Sequence, residues 1–133
     1  MIDTYGIVPA IKSALARALT KIQEATPLEC EVRLDGGLRA PPEFQNQRTI
    51  IRGDQSEPII SLASIAAKVE RDRLMMRLAI KYPVYAFEMH KGYGTRAHRE
   101  AIVEHGLSVI HRVTYCKNID GAGSIKSQVS GIK

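Results

Sequence analysis

The sequence predicts a single α/β domain, from alternating helix and strand patterns in a chain of 133 residues. Apolar residues recur at three- and four-residue spacing in residues 8–24 and 61–81, which is typical of amphipathic helices. Between them, residues 29–35 alternate apolar and polar side chains, which is typical of a strand. A chain of this length can bury one modest core, so we expect these elements to share one domain.

The first helix and the first strand each have a clear end. Pro9 suits the first turn of helix 8–24, and Pro27 stops it before the strand begins. Strand 29–35 ends where two glycines follow Asp35 and break the alternation. We therefore expect the Asp35 carboxylate at the tip of a strand.

A second strand and a long helix follow. Residues 49–52, Thr-Ile-Ile-Arg, are closed by a Gly-Asp pair, which predicts a second short strand. The helix 61–81 is expected to place one apolar set on a shared face: Leu62, Ile65, Ala66, Val69, Met76 and Ile80. Asp72 lies one turn after Lys68 and one turn before Met76, so we expect its carboxylate at the partly sheltered edge of that face.

The last predicted helix has a signal at each boundary. Thr95 can cap a helix that runs to about His105, and Gly106 stands where helices commonly end. The stretch 117–133 is rich in Gly, Ser and Lys and has no periodicity, which predicts a flexible tail. We therefore expect the folded domain to occupy residues 1–116.

Positive charge is concentrated in the middle of the chain. The net charge is +5 overall, and residues 48–99 hold 10 Lys or Arg against 5 Asp or Glu. This distribution suits a polyanionic partner such as nucleic acid, although basic surfaces also occur without one.

Composition and cysteine count argue against a membrane-spanning protein and against a disulfide-stabilised one. No apolar run approaches the roughly 20 residues of a membrane span, and the N-terminus lacks the layout of a signal peptide. Cys30 and Cys116 are too few for a disulfide framework or a zinc site, and we expect both to be reduced and partly buried. These features predict a soluble cytoplasmic protein with no membrane partner.

The segment HKGYGT, residues 90–95, contains one of only five tyrosines in the chain. Gly92 and Gly94 leave Tyr93 without side chains on either side, so another molecule could approach its ring closely. A tight turn uses the same residue types. The segment alone leaves both interpretations open.

Several strings, in order, resemble the ribonuclease HII family. They are VRLDGG, SLASIAAKVERDR, and YPVYAFEMHKGYGTRAH followed by IHRVTY, with ID..GI..A at the start and RGDQSEPII before the long helix. The resemblance covers residues 2–116 and implies a ribonuclease H-like fold with C-terminal helices. It also implies a metal-dependent endonuclease that cuts RNA in RNA–DNA hybrids, and duplex DNA at embedded ribonucleotides, leaving 5′-phosphates.

The resemblance assigns a role to two carboxylates. Ribonucleases of this fold gather four carboxylates around magnesium or manganese ions, and such hard cations prefer oxygen ligands. By position in the motifs, Asp35 and Asp72 correspond to the third and fourth of these carboxylates, so both are expected to be catalytic metal ligands. Without the resemblance, Asp35 would be interpreted as a turn former and Asp72 as a charge on a helix surface.

The resemblance also implies a nucleic-acid surface. Tyr93 corresponds to a tyrosine that packs against a sugar beside the embedded ribonucleotide, with Gly92 and Gly94 leaving room for the strand. The basic side chains expected to hold phosphates, independently of base sequence, are Lys91, Arg96 and Arg52. His98 and His111 lie in matching segments, and we expect them to form structural hydrogen bonds.

The sequence departs from the family at its start. Members open with a strand bearing an Asp-Glu pair and a Gly-Arg-Gly element, and two more strands precede the first helix. Here no Asp-Glu dipeptide occurs, and the comparable glycine cluster at 121–123 has no arginine. We therefore expect a fold truncated at the N-terminus, with the first three strands and half the metal ligands missing and an open edge on strand 29–35.

Three explanations of this departure are open: a fragment whose start was assigned to an internal Met, a decayed copy, or half of an enzyme completed by another chain. An in-frame Asp-Glu-x-Gly-Arg-Gly upstream of Met1 in the coding DNA would indicate the first. Two carboxylates hold a hydrated cation weakly, so we expect impaired turnover by this chain alone. The alternative function is a duplex-binding module without turnover.

Overall fold

The computed structural model describes residues 2–22 and 30–119, which form helices and two strands. The helices are α1 (Ile2–Tyr5), α2 (Ile7–Lys21), α3 (Gly53–Ser56), α4 (Pro58–Lys81), α5 (Phe87–His90) and α6 (Arg96–His105). The strands are β1 (Val32–Asp35) and β2 (Gln47–Ile50), and single 3-10 turns occupy Pro83–Tyr85 and Val113–Tyr115. None of the helices in these ranges is both long and apolar enough to cross a membrane. The mixed helix and strand content agrees with the predicted α/β class.

The chain divides into two compact units, residues 1–68 and residues 69–133. In the first unit, β1 and β2 pair in parallel, with Asp35 opposite Ile50. The alternation of β1 buries Leu34 and leaves Asp35 exposed at the strand's end. A small core forms around these strands from Leu34, Ala40 and Phe44, against which Leu15, Leu19, Val32 and Leu38 pack. The predicted strand-tip position of Asp35 is confirmed.

The structure corrects the predicted ends of the first helix and the first strand. Helix α2 begins at Ile7 and ends at Lys21, rather than spanning 8–24. Strand β1 begins at Val32 rather than at residue 29. The predicted segments 23–24 and 29 lie outside the described residues.

The structure also corrects the second strand and the start of the long helix. Strand β2 covers Gln47–Ile50 rather than 49–52, because the chain turns at Ile51 and Arg52 adopts a left-handed backbone with φ of 55°. Helix α4 begins at Pro58, three residues earlier than predicted. Proline suits a first helical turn, where its missing N–H would have no intrahelical partner.

The apolar face predicted for α4 is mostly exposed. The exposed large side chains of this face are Leu62, Ile65, Val69, Met76 and Ile80. Periodicity predicts which residues share a face of a helix, but it does not specify what covers that face.

The second unit has its own core, built from α4, α5, α6 and the segments that join them. Its buried residues are Ala79, Tyr82, Tyr85, Phe87, Ile102, Leu107 and Cys116. Both boundary signals of α6 are confirmed: Thr95 Oγ1 accepts from the His98 N–H at 3.3 Å, and Gly106 follows the last turn with φ of 79°. Cys30 is half-buried and Cys116 is buried, and both are thiols. The predicted tail beyond Ile119 lies outside the described residues.

Candidate functional site

Asp35 is oriented by a backbone donor from the next helix. Its Oδ1 accepts a hydrogen bond from the Gly53 N–H at 2.8 Å. A Cβ on Gly53 would lie 2.6 Å from Ile60 Cδ1, so a larger residue would have to displace that side chain. The glycine therefore lets α3 begin close enough to hold the strand-tip carboxylate. The string RGDQSEPII contained this glycine, but sequence alone did not indicate its partner.

Asp72 lies on α4 in a partly sheltered position, as predicted. Its side chain is 25% exposed, and its Oδ1 is buried. The Arg71 Nη1 lies 4.0 Å from this oxygen, at the outer limit of an ion pair. This position combines a carboxylate with limited water access, which suits a metal ligand better than a fully solvated helix surface does.

Arg71 also contacts the candidate stacking residue. Its guanidinium carbon lies 4.5 Å from the centroid of the Tyr93 ring, which is the geometry of a cation–π contact. The Tyr93 side chain remains 56% exposed, so part of the ring is accessible to another molecule. Arg71 therefore lies beside both Asp72 and Tyr93. The sequence did not single out Arg71, although it stands within KVERDR.

The two glycines beside Tyr93 differ in what they do. Gly92 has φ of 77°, and a Cβ there would lie 3.0 Å from Met75 Cε. The tight-turn interpretation is therefore the better one for Gly92, which the turn and the close packing both require. At Gly94 the nearest atoms to a built Cβ are those of the Arg99 guanidinium at 3.9 Å, which is ordinary contact. Space for an approaching strand is thus greater at Gly94.

The basic residues predicted to hold phosphates occupy different settings. The Lys91 amine donates to the Glu88 carbonyl, next to the turn that carries Tyr93. Arg96 is 91% exposed, and its Nε donates to Glu100 Oε1 at 2.7 Å. In the first unit, Arg52 is exposed and immediately precedes Gly53. An anionic ligand could replace the Lys91 and Arg96 contacts, and it could bind the exposed Arg52 side chain directly.

Histidines form a hydrogen-bonded group beneath the Tyr93 turn. His98 Nδ1 lies 2.9 Å from the Tyr93 carbonyl oxygen, and His98 Nε2 lies 3.1 Å from His111 Nε2. The Ser108 N–H donates to His111 Nδ1 at 3.0 Å. The Phe87 ring packs against both imidazoles, with centroids 5.5 and 5.8 Å away. The prediction that His98 and His111 form structural hydrogen bonds is confirmed.

Burial keeps these two imidazoles uncharged. It lowers the pKa of His98, and burial together with the neighbouring His98 lowers the pKa of His111 to about 4. The unfolded chain, with histidines near their ordinary pKa of about 6.5, therefore binds more protons than the folded chain between pH 6.5 and pH 4. Stability consequently falls as the pH falls through this window.

We expect the free energy of unfolding to drop by about 2 kcal/mol between pH 7 and pH 5 from His111 alone. Urea melts followed by circular dichroism at several pH values measure this drop. His111→Asn removes the titrating group and should flatten the dependence. An equal slope in the His111→Asn variant would contradict the assignment.

The carboxylates fit a hard divalent cation by donor type. Asp35 and Asp72 supply oxygen ligands, which magnesium and manganese prefer. Within residues 2–22 and 30–119, no group of three or more His, Cys, Asp or Glu side chains is arranged to hold a metal ion. The described donors thus match the chemistry of the cation but not the four-carboxylate set that the resemblance implies.

Comparison with known proteins decides the family. A sequence model of the family described as Ribonuclease HII matches residues 3–118. The chain belongs to the ribonuclease HII family. Ribonuclease HII is a family of endonucleases, and the resemblance carried by the sequence strings is confirmed.

Three relatives show how much of ribonuclease HII the chain covers. It is 43% identical to the ribonuclease HII of Endomicrobium trichonymphae over 115 residues, which are 86% of this chain and 53% of the relative. It is 45% identical to that of Synechococcus sp. strain WH7803 over 115 residues, 86% of this chain and 57% of the relative. It is 42% identical to that of Caldicellulosiruptor bescii over 119 residues, 90% of this chain and 56% of the relative. The chain spans about half the length of the curated relatives it matches.

Proposed function

We propose that this chain carries part of the site of a metal-dependent endonuclease. The enzyme hydrolyses RNA in RNA–DNA hybrids and cuts duplex DNA at embedded ribonucleotides, leaving 5′-phosphates. Asp35 and Asp72 serve as catalytic carboxylates that ligate magnesium or manganese. The residues that contact the duplex are Tyr93, Lys91, Gly92, Gly94, Arg96 and Arg52.

The observation that carries this proposal is the position of Arg71 beside both Asp72 and Tyr93. Its guanidinium lies 4.0 Å from the Asp72 carboxylate and 4.5 Å from the centre of the Tyr93 ring. An acidic group for a cation and an exposed ring for a sugar are therefore neighbours on the second unit. This neighbourhood supports a site where the sugar and the reacting phosphate of one nucleotide bind together.

The described side chains each contribute a defined step. Asp35 and Asp72 would each supply oxygen ligands to a divalent cation, which would provide an activated water and stabilisation of the oxygen leaving phosphorus. The Gly53 N–H holds the Asp35 carboxylate in one orientation, which limits the entropy lost when it ligates. Arg71 balances the charge of Asp72, and the exposed part of the Tyr93 ring offers an apolar surface to a sugar. The basic side chains then hold the backbone phosphates.

A cleavage assay tests the proposed reaction. The substrate is a DNA duplex with one internal ribonucleotide, incubated with manganese or magnesium ions. The matched control is a duplex of the same sequence made entirely of DNA. We expect cuts only at the ribonucleotide, with 5′-phosphate ends. The assay uses the 133-residue chain, and also the longer protein if the coding DNA supplies upstream residues. Absence of cleavage in both, or equal cutting of the all-DNA duplex, would contradict the proposal.

The second candidate function is a duplex-binding module without turnover. It is favoured by the exposed Tyr93 ring and by the positive charge of residues 48–99, which support binding whether or not cleavage follows. The cleavage assay separates the two candidates, since a module would bind the duplex and leave it intact.

Both candidates predict duplex binding that weakens as salt rises. We expect the logarithm of the affinity to fall linearly with the logarithm of salt concentration, because bound phosphates release counterions. Arg96→Gln should reduce the slope by about 1, the loss of one phosphate contact. Arg73→Gln is the matched control, since Arg73 pairs with Glu70 on the exposed surface of α4. An affinity independent of salt, measured by fluorescence anisotropy, would exclude phosphate contacts.

A further inference from the structure

A chain of hydrogen bonds runs from Ser108 through His111 and His98 to the backbone of Tyr93. The Ser108 backbone N–H can only donate, so His111 Nδ1 accepts from it at 3.0 Å, with the Ser108 hydroxyl 2.7 Å away as a second donor, and the His111 proton lies on Nε2. That proton points at His98 Nε2, 3.1 Å away, which must accept. The His98 proton therefore lies on Nδ1 and is donated to the Tyr93 carbonyl at 2.9 Å. A backbone donor at one end and a backbone acceptor at the other thus select one tautomer for each imidazole.

An additional proton would require these hydrogen bonds to rearrange. A charged His98 would turn an Nε2–H toward His111 Nε2, which could accept it only after a change of tautomer, and a charged His111 would turn an Nδ1–H toward Ser108, where only the hydroxyl could accept it. The titratable groups that face the pair are His90, stacked on His98 at 4.4 Å, and Tyr85, edge-on to His111 at 4.8 Å. Burial lowers the pKa of both paired histidines, which agrees with two uncharged rings.

The same group of histidines holds Tyr93 from both sides of its backbone. The Tyr93 N–H donates to the His90 carbonyl at 2.9 Å, and the Tyr93 carbonyl accepts from the Thr95 N–H at 2.8 Å as well as from His98. The His90 ring also accepts from the Gly92 N–H at 3.2 Å. The backbone is thereby restrained while the Tyr93 ring is left 56% exposed.

We propose that His98 and His111 are positioning residues that fix the Tyr93 backbone, and through it the direction of the exposed ring, in the pair of uncharged tautomers that these hydrogen bonds select. That this direction serves duplex recognition rests on the function proposed above. The histidines do not contact the substrate, so their effect on binding passes through Tyr93.

The tautomers give the first test, and it needs no substrate. Two-bond ¹⁵N–¹H correlation spectra of the 133-residue chain distinguish the protonated ring nitrogen of each of its four histidines. At pH 7.5 we expect His98 protonated on Nδ1 and His111 on Nε2. On acidification, protonation of either ring should coincide with a shift of the Tyr93 amide resonance. The opposite tautomers, or a Tyr93 amide resonance that does not shift when either imidazole is protonated, would overturn the proposal.

Two conservative variants give the second test. His98→Asn retains an N–H donor near the position of Nδ1, toward the Tyr93 carbonyl, whereas His98→Gln places its donor near the position of Nε2, toward His111. If positioning is the role, His98→Asn should retain most of the duplex affinity and His98→Gln should lose roughly tenfold, the effect of one lost hydrogen bond. A purely structural role predicts that affinity follows the melting temperature in both variants.

The two proposals fail in different ways. If the unsubstituted chain binds no duplex, the proposed function fails, while the tautomers and the Tyr93 amide shift still decide the positioning role. If the unsubstituted chain binds and both variants lose affinity equally at equal melting temperatures, the positioning role fails and the function stands. If a variant does not fold, the spectra of the unsubstituted chain decide the positioning role.

Discussion

We expect Asp72→Asn to lower cleavage of a single-ribonucleotide duplex by roughly a thousandfold, because loss of the proposed metal-ligating carboxylate would remove about 4 kcal/mol of transition-state stabilisation. Asparagine keeps the shape of the side chain but not the charge that a divalent cation requires. We expect Asp35→Asn to have a similar effect. Duplex affinity should change little in either variant, since the proposed contacts to phosphates and to the sugar come from other side chains. Single-turnover cleavage and anisotropy measured on the same preparations provide both readouts.

Glu70→Gln is the matched control for this experiment. Glu70 lies on the same helix as Asp72, and its Oε1 pairs with Arg73 at 2.6 Å on an exposed surface. We expect normal cleavage from this variant. Normal cleavage by Asp72→Asn and Asp35→Asn in manganese would show that the site has been assigned wrongly.

Phe87→Ala destabilises the second unit by roughly 3–5 kcal/mol, the usual cost of removing a buried aromatic side chain. Phe87 is 2% exposed and stacks on Tyr85 with ring centroids 5.4 Å apart. Its ring also packs against His98, so the cavity lies directly under the Tyr93 turn. Equilibrium urea unfolding followed by circular dichroism measures the loss.

Met89→Ala tests whether burial is the cause. Met89 lies on the same short helix, α5, and its side chain is 77% exposed. We expect a change of less than about 0.5 kcal/mol, as is common for surface positions. Equal destabilisation by both substitutions would contradict the core assignment.

Local patterns in the sequence predict the positions of several candidate site residues and helix ends. Asp35 lies at the end of β1 because alternation stops at the glycine pair. Asp72 is partly sheltered, as its spacing on α4 predicts, although the apolar face of that helix is itself mostly exposed. Thr95 and Gly106 mark the ends of α6 because capping depends on neighbouring backbone groups. Structure that depends on interactions within a few residues can therefore be predicted from the sequence.

Contacts between distant segments were not predicted, since no local pattern encodes them. No sequence pattern indicates that the Gly53 N–H reaches Asp35, 18 positions earlier, or that Arg71 lies over the Tyr93 ring. The hydrogen bond between His98 and His111 was not predicted either, although both residues were expected to form hydrogen bonds. The second strand begins and ends earlier than the sequence predicts, because the β-branched Ile51 favours a strand while the backbone already turns there.

The burial of the long helix illustrates the same limit. The spacing of Leu62, Ile65 and Val69 correctly indicates a helix, which the structure extends to 24 residues. These side chains are nevertheless exposed within the described ranges. Helical periodicity and burial are separate properties, and only tertiary contacts decide the second.

Binding of Mn²⁺ tests the central claim most directly, because it asks whether these two carboxylates ligate a cation without requiring turnover. Isothermal titration of the 133-residue chain should show an affinity that falls at least roughly tenfold in Asp35→Asn and in Asp72→Asn. Glu70→Gln and Asp54→Asn, which alter exposed carboxylates on α4 and α3, should leave it unchanged. Equal Mn²⁺ affinity in all five proteins would contradict the account.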